Sequence, residues 1–465
     1  MFSKRTKIVA TIGPASESPQ SLRALLSHGM NVARLNMSHG SHEEHARRIQ
    51  RIREAATAHG APVPILVDLS GPKIRTGEYA TERITIVPGA TLHLTTEPCI
   101  GDEKRIYVTY ARLASEVAPG SVIMLDDGKK RLEVVRVEGN EIECRVIVGG
   151  ELKPRRGVNV PGAYLSIPTI TDKDRADIAF AVSHGVDYIA LSFVRRPQDV
   201  VELRSLIRDA GGTIPCIAKI ETLESIQNLD EILIEADGAM VARGDLAIEV
   251  PAEMVPIYQK QIIKKANELG KPVIIATQML ESMIHAPLPT RAEVSDIATA
   301  VYDGADAVML SEESALGMYA VEAVATMCRV ASTIERSMQH KTVHPSSVPD
   351  SIAQSVYHVA HDVDAKAIVA LTERGVTAQR VARFKPDCPI IALTPHDDVL
   401  EKLTLVRGVY PFKVAPITDF SSAVAEIPAF VLTHGIAEPG DRIAVTAGAK
   451  FGASGSTNML LVLTV

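Results

Sequence analysis

Eight short apolar runs alternate with amphipathic stretches through the first two-thirds of the chain, and this alternation limits the folds open to it most severely. The runs fall at 6–13, 30–37, 64–69, 188–193, 214–221, 238–246, 272–278 and 307–312. Each is nearly continuous in Val, Ile, Leu and Ala, the pattern of strands buried on both faces. The stretches between them open on capping residues, as in SPQSLRALLSHG, SHEEHARRIQRIREAATAHG, TDKDRADIAFAVSHG and PTRAEVSDIATAVYDGA. Many close on glycine (Gly29, Gly60, Gly185, Gly211, Gly270), which suits a left-handed helix end. Eight such units in one run predict an α/β fold built on a parallel (β/α)₈ TIM barrel. A doubly wound sheet is the alternative, and the number of units favours closure.

The alternation breaks once. After Leu69 the sequence SGPKIRTG leads into alternating β pattern at 84–87, 91–95, 105–110, 121–125, 132–138 and 141–148, punctuated by PG, DDG, EGN and GG turns. The α/β pattern resumes at about Gly157. We therefore expect a barrel of residues 1–72 and 157–342 with a small all-β unit, 73–156, inserted between its third strand and third helix. Such an insertion leaves from the end of the barrel where active sites form and is placed to act as a lid. A long helix at 320–340 and the polar linker KTVHPSSVPD lead to a third unit, 350–465, expected to be an open α/β sheet with strands at 367–371, 389–393, 410–414, 442–445 and 459–465.

Forty-nine basic residues against 56 acidic ones leave a formal charge of -7, which argues against a general nucleic-acid binder. No apolar run has the length of a membrane span. The amino-terminal MFSKRTKIVATIG passes straight into a strand without a cleavage pattern, and the five cysteines are scattered and never spaced as CxxC. A cytoplasmic protein is expected.

What carries chemistry is where the polar residues fall. Arg34, Asn36 and Ser38 end the second strand and Asp68 the third. Lys219 and Glu221 end the fifth, Asp245 the sixth, Thr277 the seventh, and Ser311 with Glu313 the eighth. Lys219 and Glu221 stand two apart, so both leave the same face of their strand. Alone, this pair fits a buried ion pair of the core as well as it fits a functional site. Arg243, Gly244 and Asp245 cluster where the next strand is expected to end, which suggests a metal site beside an anionic substrate. Two carboxylates, Glu221 and Asp245, are hard oxygen ligands suited to Mg²⁺ or Mn²⁺. Arg34, Lys219, Lys73 and Arg75 concentrate positive charge. That combination suits phosphoryl transfer, where catalysis is mostly positioning and charge neutralisation.

The stretches RTKIVATIGPAS, MNVARLNMSHG, GPKIRTG, GVNVPG, AKIE, MVARGDLAIEVP, ATQMLESM, PTRAEVSDIATAVYDGADAVMLS and AGAKFGASGSTN, taken in order, resemble the pyruvate kinase family nearly end to end. The resemblance implies conversion of phosphoenolpyruvate and ADP to pyruvate and ATP with a divalent cation, in a homotetramer. It implies that Glu221 and Asp245 ligate that cation and that Lys219 meets the transferred phosphoryl group. Arg34 would bind the phosphate, and Gly244 and Thr277 the carboxylate end. Asn36, Ser38, His39, Arg75 and Arg156 match the family's nucleotide-binding positions. Thr277, with Ser311 and Glu313 through water, is the expected route of a proton to the enolate.

Three departures from the family pattern stand out. Where many members have Asp-Thr-Lys-Gly-Pro-Glu, this chain has Asp68-Leu69-Ser70-Gly71-Pro72-Lys73. In the Glu-bearing members K⁺ is held by the equivalents of Asn36, Ser38, Asp68 and a threonine. Leu69 removes that threonine side chain, and Lys73 brings a fixed ammonium, so K⁺ is expected to be dispensable. At the eighth strand the usual Ser-Gly-Glu-Thr is Ser311-Glu312-Glu313-Ser314. In the third unit Thr372, Arg374, Gly375 and Thr377, with Ser454 and Gly455 of the GASGSTN stretch, match the family's effector loop with two serines replaced. A phosphorylated activator such as a sugar monophosphate or AMP is expected there. Two other readings are a Mg²⁺-dependent lyase or aldolase making a pyruvate enolate, and a catalytically inactive metabolite sensor. The inserted β unit with Arg75 and Arg156 argues against the first; the presence of Lys219, Glu221 and Asp245 argues against the second.

Overall fold

The eight apolar runs form β1 (Lys7–Thr11), β2 (Val32–Asn36), β3 (Ile65–Asp68), β4 (Tyr188–Leu191), β5 (Cys216–Ile220), β6 (Gly238–Ala242), β7 (Val273–Ala276) and β8 (Ala307–Leu310). Each strand pairs in parallel with its neighbours in sequence, and β1 pairs with β8, so the sheet closes into a barrel. The structure is a computed structural model and describes residues 4–338, 345, 347–416, 420–448 and 457–465.

Strand periodicity sorts the side chains. One series, including Ile8, Ala10, Leu35, Val67 and Ile189, faces the surrounding helices. The other series, including Val9, Val32, Leu66, Ile217, Met240 and Ile274, packs inside the barrel. Leu405, from beyond the barrel in sequence, joins that interior cluster and is fully buried. It follows the helix Asp397–Thr404 and plugs the amino end of the strands. Polar contacts ring the plug: Lys7 Nζ donates to the Val409 carbonyl at 2.6 Å, and the Tyr188 hydroxyl donates to the Lys402 carbonyl at 2.6 Å.

The predicted strand runs overshoot at their carboxyl ends. The run at 238–246 gives a strand only to Ala242, and Arg243–Glu249 is a helix. Leu246 and Val250, one turn apart, bury themselves in a small apolar cluster with Val255, and that packing outweighs continued strand. Likewise β7 stops at Ala276 and β8 at Leu310, one or more residues before the expected ends. The long helix predicted over 320–340 runs from Ala320 to Glu335, and residues 339–344 lie outside the described residues.

Between β3 and β4 the chain builds a six-stranded sheet, in the order Val158–Asn159, Val122–Leu125, Lys130–Glu138, Glu141–Val148, Thr91–Thr95, Arg105–Tyr107. It has its own core of Leu92, Leu94, Ile106, Ile123, Leu132 and Ile142. A bridge between Arg75 and Gly157 ties the outgoing and returning chain together. The third unit is an open sheet of β9 (Ala367–Leu371), β10 (Ile390–Thr394), β11 (Val409–Lys413), β12 (Arg442–Gly448) and β13 (Thr457–Thr464). Its order is β11-β10-β9-β12-β13, with only β13 antiparallel.

Leu405→Ala leaves a cavity under a barrel that cannot collapse around it, and is expected to cost about 2–5 kcal/mol. A fall in the thermal unfolding midpoint checks this; an unchanged midpoint would show that Leu405 is not a plug.

Candidate active site

The interior series that fills the barrel with Val9, Val32, Leu66, Ala190 and Ile217 continues upward, two residues on, into Thr11, Arg34, Asp68, Ser192 and Lys219. These five form one network. Arg34 Nε donates to Asp68 Oδ2 at 2.8 Å, Nη2 lies 2.7 Å from the same oxygen, and Nη1 donates to Thr11 Oγ1 at 2.8 Å. The other oxygen of Asp68 lies 3.3 Å from Lys219 Nζ, which donates to Ser192 Oγ at 2.6 Å. Asp68 is 1% exposed and Lys219 9%. Burial opposes the Asp68 charge, yet Lys219 and Arg34 outweigh it and hold its carboxyl below the ordinary range. Burial also opposes the Lys219 ammonium, and Asp68, then Glu221 and Asp245, overcome it and hold the pKa above the usual lysine value.

Glu221 is the strained member. Its Oε1 accepts the Phe193 N–H at 2.6 Å, while Oε2, 3.4 Å from Lys219 Nζ, is buried without a hydrogen bond. Burial pushes its pKa up to about 7; Lys219 opposes the rise, and the Asp245 carboxylate adds to it. Lys219 shares its charge first with Asp68, so it relieves Glu221 only in part. A buried carboxylate oxygen without a donor, crowded by a second carboxylate, is suited to a cation.

At the end of β7 the backbone takes an unusual path. Thr277 has φ +68° and Gln278 φ +56°, left-handed conformations. For a β-branched residue this costs about 1–3 kcal/mol and marks a site where surroundings impose the shape. The Thr277 hydroxyl accepts the Gly244 N–H at 2.8 Å and donates to the Ala276 carbonyl at 2.6 Å. A Cβ on Gly244 would meet Thr277 atoms at 3.6 Å, an ordinary contact, so packing alone does not require glycine there. Arg243, expected among the substrate's charges, instead lies behind the turn, with Nη1 2.5 Å from Asp296 Oδ1. Glu313 is buried, and its two oxygens accept backbone N–H groups of Leu280 and Ser311 at 3.1 and 2.7 Å. It therefore shapes the loops beside Ser311.

A small cavity of about 100 Å³ is lined by Arg34, Asn36, Ser38, Asp68, Lys73, Ser192, Lys219, Asp245, Thr277 and Ser311. A larger cleft of about 460 Å³ is lined by His39, Lys73, Arg75, Arg156, Arg195, Asp245 and Glu249, among others. Lys73, Phe193 and Asp245 border both. Thus most of the predicted residues divide between a compact charged chamber and a roomier cleft under the inserted sheet, while Glu221, Gly244 and Glu313 line neither. Arg75 and Arg156 stand where that sheet joins the barrel: Arg75 Nη1 donates to the Arg155 carbonyl at 3.0 Å, and Arg156 Nε lies 3.5 Å from Asp126 Oδ1. Lys73 is exposed.

The expected effector residues lie elsewhere, at the carboxyl end of β9. Gly375, at φ +82°, precedes the helix Val376–Ala382, and a Cβ there would stand 3.0 Å from Leu403. Thr372 and Thr377 are buried; the Thr377 hydroxyl lies 2.9 Å from that of Thr457, and Arg374 is exposed. Ser454 and Gly455 lie outside the described residues.

Three contributors escape a reading of the sequence. Thr11 and Ser192 complete the Arg34–Asp68–Lys219 network, and each is a small hydroxyl at the end of an apolar run, a weak signal. Arg195 borders the cleft and donates to the Leu165 and Ile167 carbonyls, both at 2.5 Å, gripping the returning chain of the insertion. Its place just after a strand, in SFVRRPQDV, was the available clue.

Residues 3–324 match the family described as "Pyruvate kinase, barrel domain", and residues 350–463 match "Pyruvate kinase, alpha/beta domain". The chain belongs to the pyruvate kinase family. The pyruvate kinase of Geobacillus stearothermophilus is 48% identical over 472 residues, covering 99% of this chain and 80% of that protein. The pyruvate kinase of Methylorubrum extorquens is 42% identical over 467 residues, covering 99% and 97%. A crystal structure of a pyruvate kinase from Cryptosporidium parvum superposes with a TM-score of 0.94 at 38% identity, covering 99% of this chain and 96% of that one. Among the described residues no helix is long and apolar enough to cross a membrane.

The raised pKa of Glu221 has a sign. Unfolded, the carboxyl ionises near 4.5; folded, it keeps its proton to about 7, so stability falls as pH rises through that window. In the presence of a chelator, Glu221→Gln, which keeps the acceptor for Phe193, is expected to gain thermal stability over the parent as pH rises from 5 to about 7, with no further gain above. A difference independent of pH would contradict this assignment.

Proposed function

We propose that the protein transfers the phosphoryl group of phosphoenolpyruvate to ADP, giving pyruvate and ATP, the last step of glycolysis. The observation that carries this reading is the charged chamber itself, where Arg34 and Lys219 converge on Asp68 beside the half-paired Glu221. Two cations fixed in place before substrate arrives suit a reaction whose barrier lies in positioning and neutralising phosphoryl charge.

In this reading Arg34 binds the phosphate, and Lys219 neutralises the equatorial oxygens as the bond to the enol oxygen breaks and the bond to ADP forms. Glu221 and Asp245 would hold Mg²⁺ or Mn²⁺, which when bound supplies charge neutralisation at the substrate's carboxylate and enolate oxygens. Two protein carboxylates would leave further coordination positions to substrate and water. The Gly244 backbone and the Thr277 hydroxyl receive the carboxylate end. Thr277, with Ser311 and the loop shaped by Glu313, delivers the proton that converts the enolate to pyruvate. Asn36, Ser38, His39, Arg75 and Arg156 receive ADP. Closure of the inserted sheet, which takes in Val158–Asn159 beyond the expected limit of 156, over the barrel would exclude water, which would otherwise take the phosphoryl group.

Lys73 takes the place of a carboxylate at the K⁺ region of Asn36, Ser38 and Asp68. Its position on the rim of both cavities supports the reading that its ammonium supplies the monovalent charge. We assign residues 350–465 a regulatory and oligomerisation role in a cytoplasmic homotetramer. A phosphorylated activator would bind at Thr372, Arg374, Gly375, Thr377, Ser454 and Gly455. An enolpyruvate lyase on the same barrel is disfavoured, because it would leave the cleft under the inserted sheet without a nucleotide to hold.

A coupled assay of ADP-dependent pyruvate formation tests the activity. Rates within about twofold in Na⁺-only and K⁺ buffers are expected, and a tenfold or larger K⁺ activation would refute the role of Lys73. Added sugar monophosphates or AMP at subsaturating phosphoenolpyruvate should raise the rate; a flat response removes the effector. Lys219→Met should abolish phosphoryl transfer, by about 10³-fold or more, yet retain metal-dependent enolisation of pyruvate, whereas Glu221→Ala should lose both.

A further inference from the structure

The turn that carries Thr277 is gripped from behind by a single side chain. Arg243 Nε donates to the Ala276 carbonyl at 3.2 Å, and Nη2 donates to the Thr277 carbonyl at 2.7 Å and meets Met279 Sδ at 2.8 Å. Its remaining nitrogen, Nη1, donates to Asp296 Oδ1 at 2.5 Å. The Arg243 side chain is 13% exposed and lines neither of the two cavities. Its donors are spent on the turn and on Asp296, behind the chamber. The next residue, Gly244, holds the front of the same turn, since its N–H donates to the Thr277 hydroxyl.

From these contacts we infer that Arg243, braced by Asp296, is the positioning residue for Thr277. Two carbonyls in succession point at one guanidinium, and a β-branched residue reaches that arrangement here only with φ at +68°. An isolated threonine would relax toward a strand or helical φ, carrying its hydroxyl away from Gly244. A planar fork with five donors can serve two carbonyls and a carboxylate at once, whereas a lysine ammonium is a point donor on a looser stem. Asp296 lies on the helix Arg291–Asp303, so the grip locks together the chain after β6, the turn after β7 and the helix that follows. The inference rests on the reading of Thr277 as a contact of the substrate's carboxylate and of the proton path.

The test is a double-mutant cycle on Arg243→Met and Thr277→Val, read by deuterium uptake into the methyl group of pyruvate and by steady-state KM for each substrate. Arg243→Met is expected to slow the exchange about tenfold or more and raise KM for phosphoenolpyruvate, with KM for ADP within about twofold. In the Thr277→Val background it should add less than about a twofold loss, because the residue it positions no longer bears a hydroxyl. Arg243→Lys should rescue little. Should Arg243→Met fail to fold, Asp296→Asn, which weakens the brace while keeping an amide acceptor for Arg243 Nη1, carries the same cycle. Losses that multiply in the double variant, or an ADP KM that moves as far as that for phosphoenolpyruvate, overturn the positioning role alone. Normal exchange in Thr277→Val overturns the reading of Thr277 and the inference with it.

Discussion

Asp68 is the constraint on which the site depends. A carboxylate 1% exposed at the top of a closed barrel is tolerable only because Arg34 and Lys219 meet it from two sides. The dependence is mutual. Either cation, left in the same place without Asp68, would be an uncompensated buried charge, a condition that typically costs about 3–5 kcal/mol. Because both cations are held by one anion before any ligand arrives, their positions need not be organised during the reaction. The network thus converts folding energy into preorganisation, and Glu221 stands at its edge with one oxygen unsatisfied.

The barrel supports this arrangement by dividing its interior into two layers of opposite character. The lower layer is apolar and closed by Leu405, and the upper layer carries the charged and hydroxyl side chains, with Met240, Ala242, Ala276 and Met309 on its remaining wall. The same period of two produces both, since on β1 to β5 the inward series changes chemistry toward the carboxyl end, whereas β6 and β7 stay apolar to Ala242 and Ala276. Anchoring the plug requires the third unit to sit against the amino end of the strands. There Lys7, fully desolvated and with its pKa lowered to about 7, finds the Val409 carbonyl and lies 4.3 Å from the centre of the Tyr410 ring. One consequence is that the base of the barrel and the open sheet share a packed boundary, a physical path between residues far apart in sequence.

Short turns at the strand ends do the remaining work, and these were the parts least legible beforehand. The run at 238–246 reads as one apolar strand because Leu246, Ile248 and Val250 continue the apolar composition. Those side chains serve a helix and a separate small cluster instead. As a result Arg243 turns its charge away from the chamber and Asp245 enters it from a helix. Thr11 and Ser192 were equally opaque, since a hydroxyl at the end of a buried strand is ordinary until its neighbours across the barrel are known.

Periodicity and the order of motifs in the sequence were enough to determine the closed barrel, the inserted β unit, the family, and the ring of polar strand ends. Those properties are local: each follows from which residues alternate and where apolar runs stop. Only the tertiary structure decided which members of the ring are paired, which oxygen is left without a partner, and which arginine faces the chamber. Those are distances between residues up to about 150 positions apart in the chain, such as Lys219 to Asp68 at 3.3 Å, and they arise only when eight strands close on themselves.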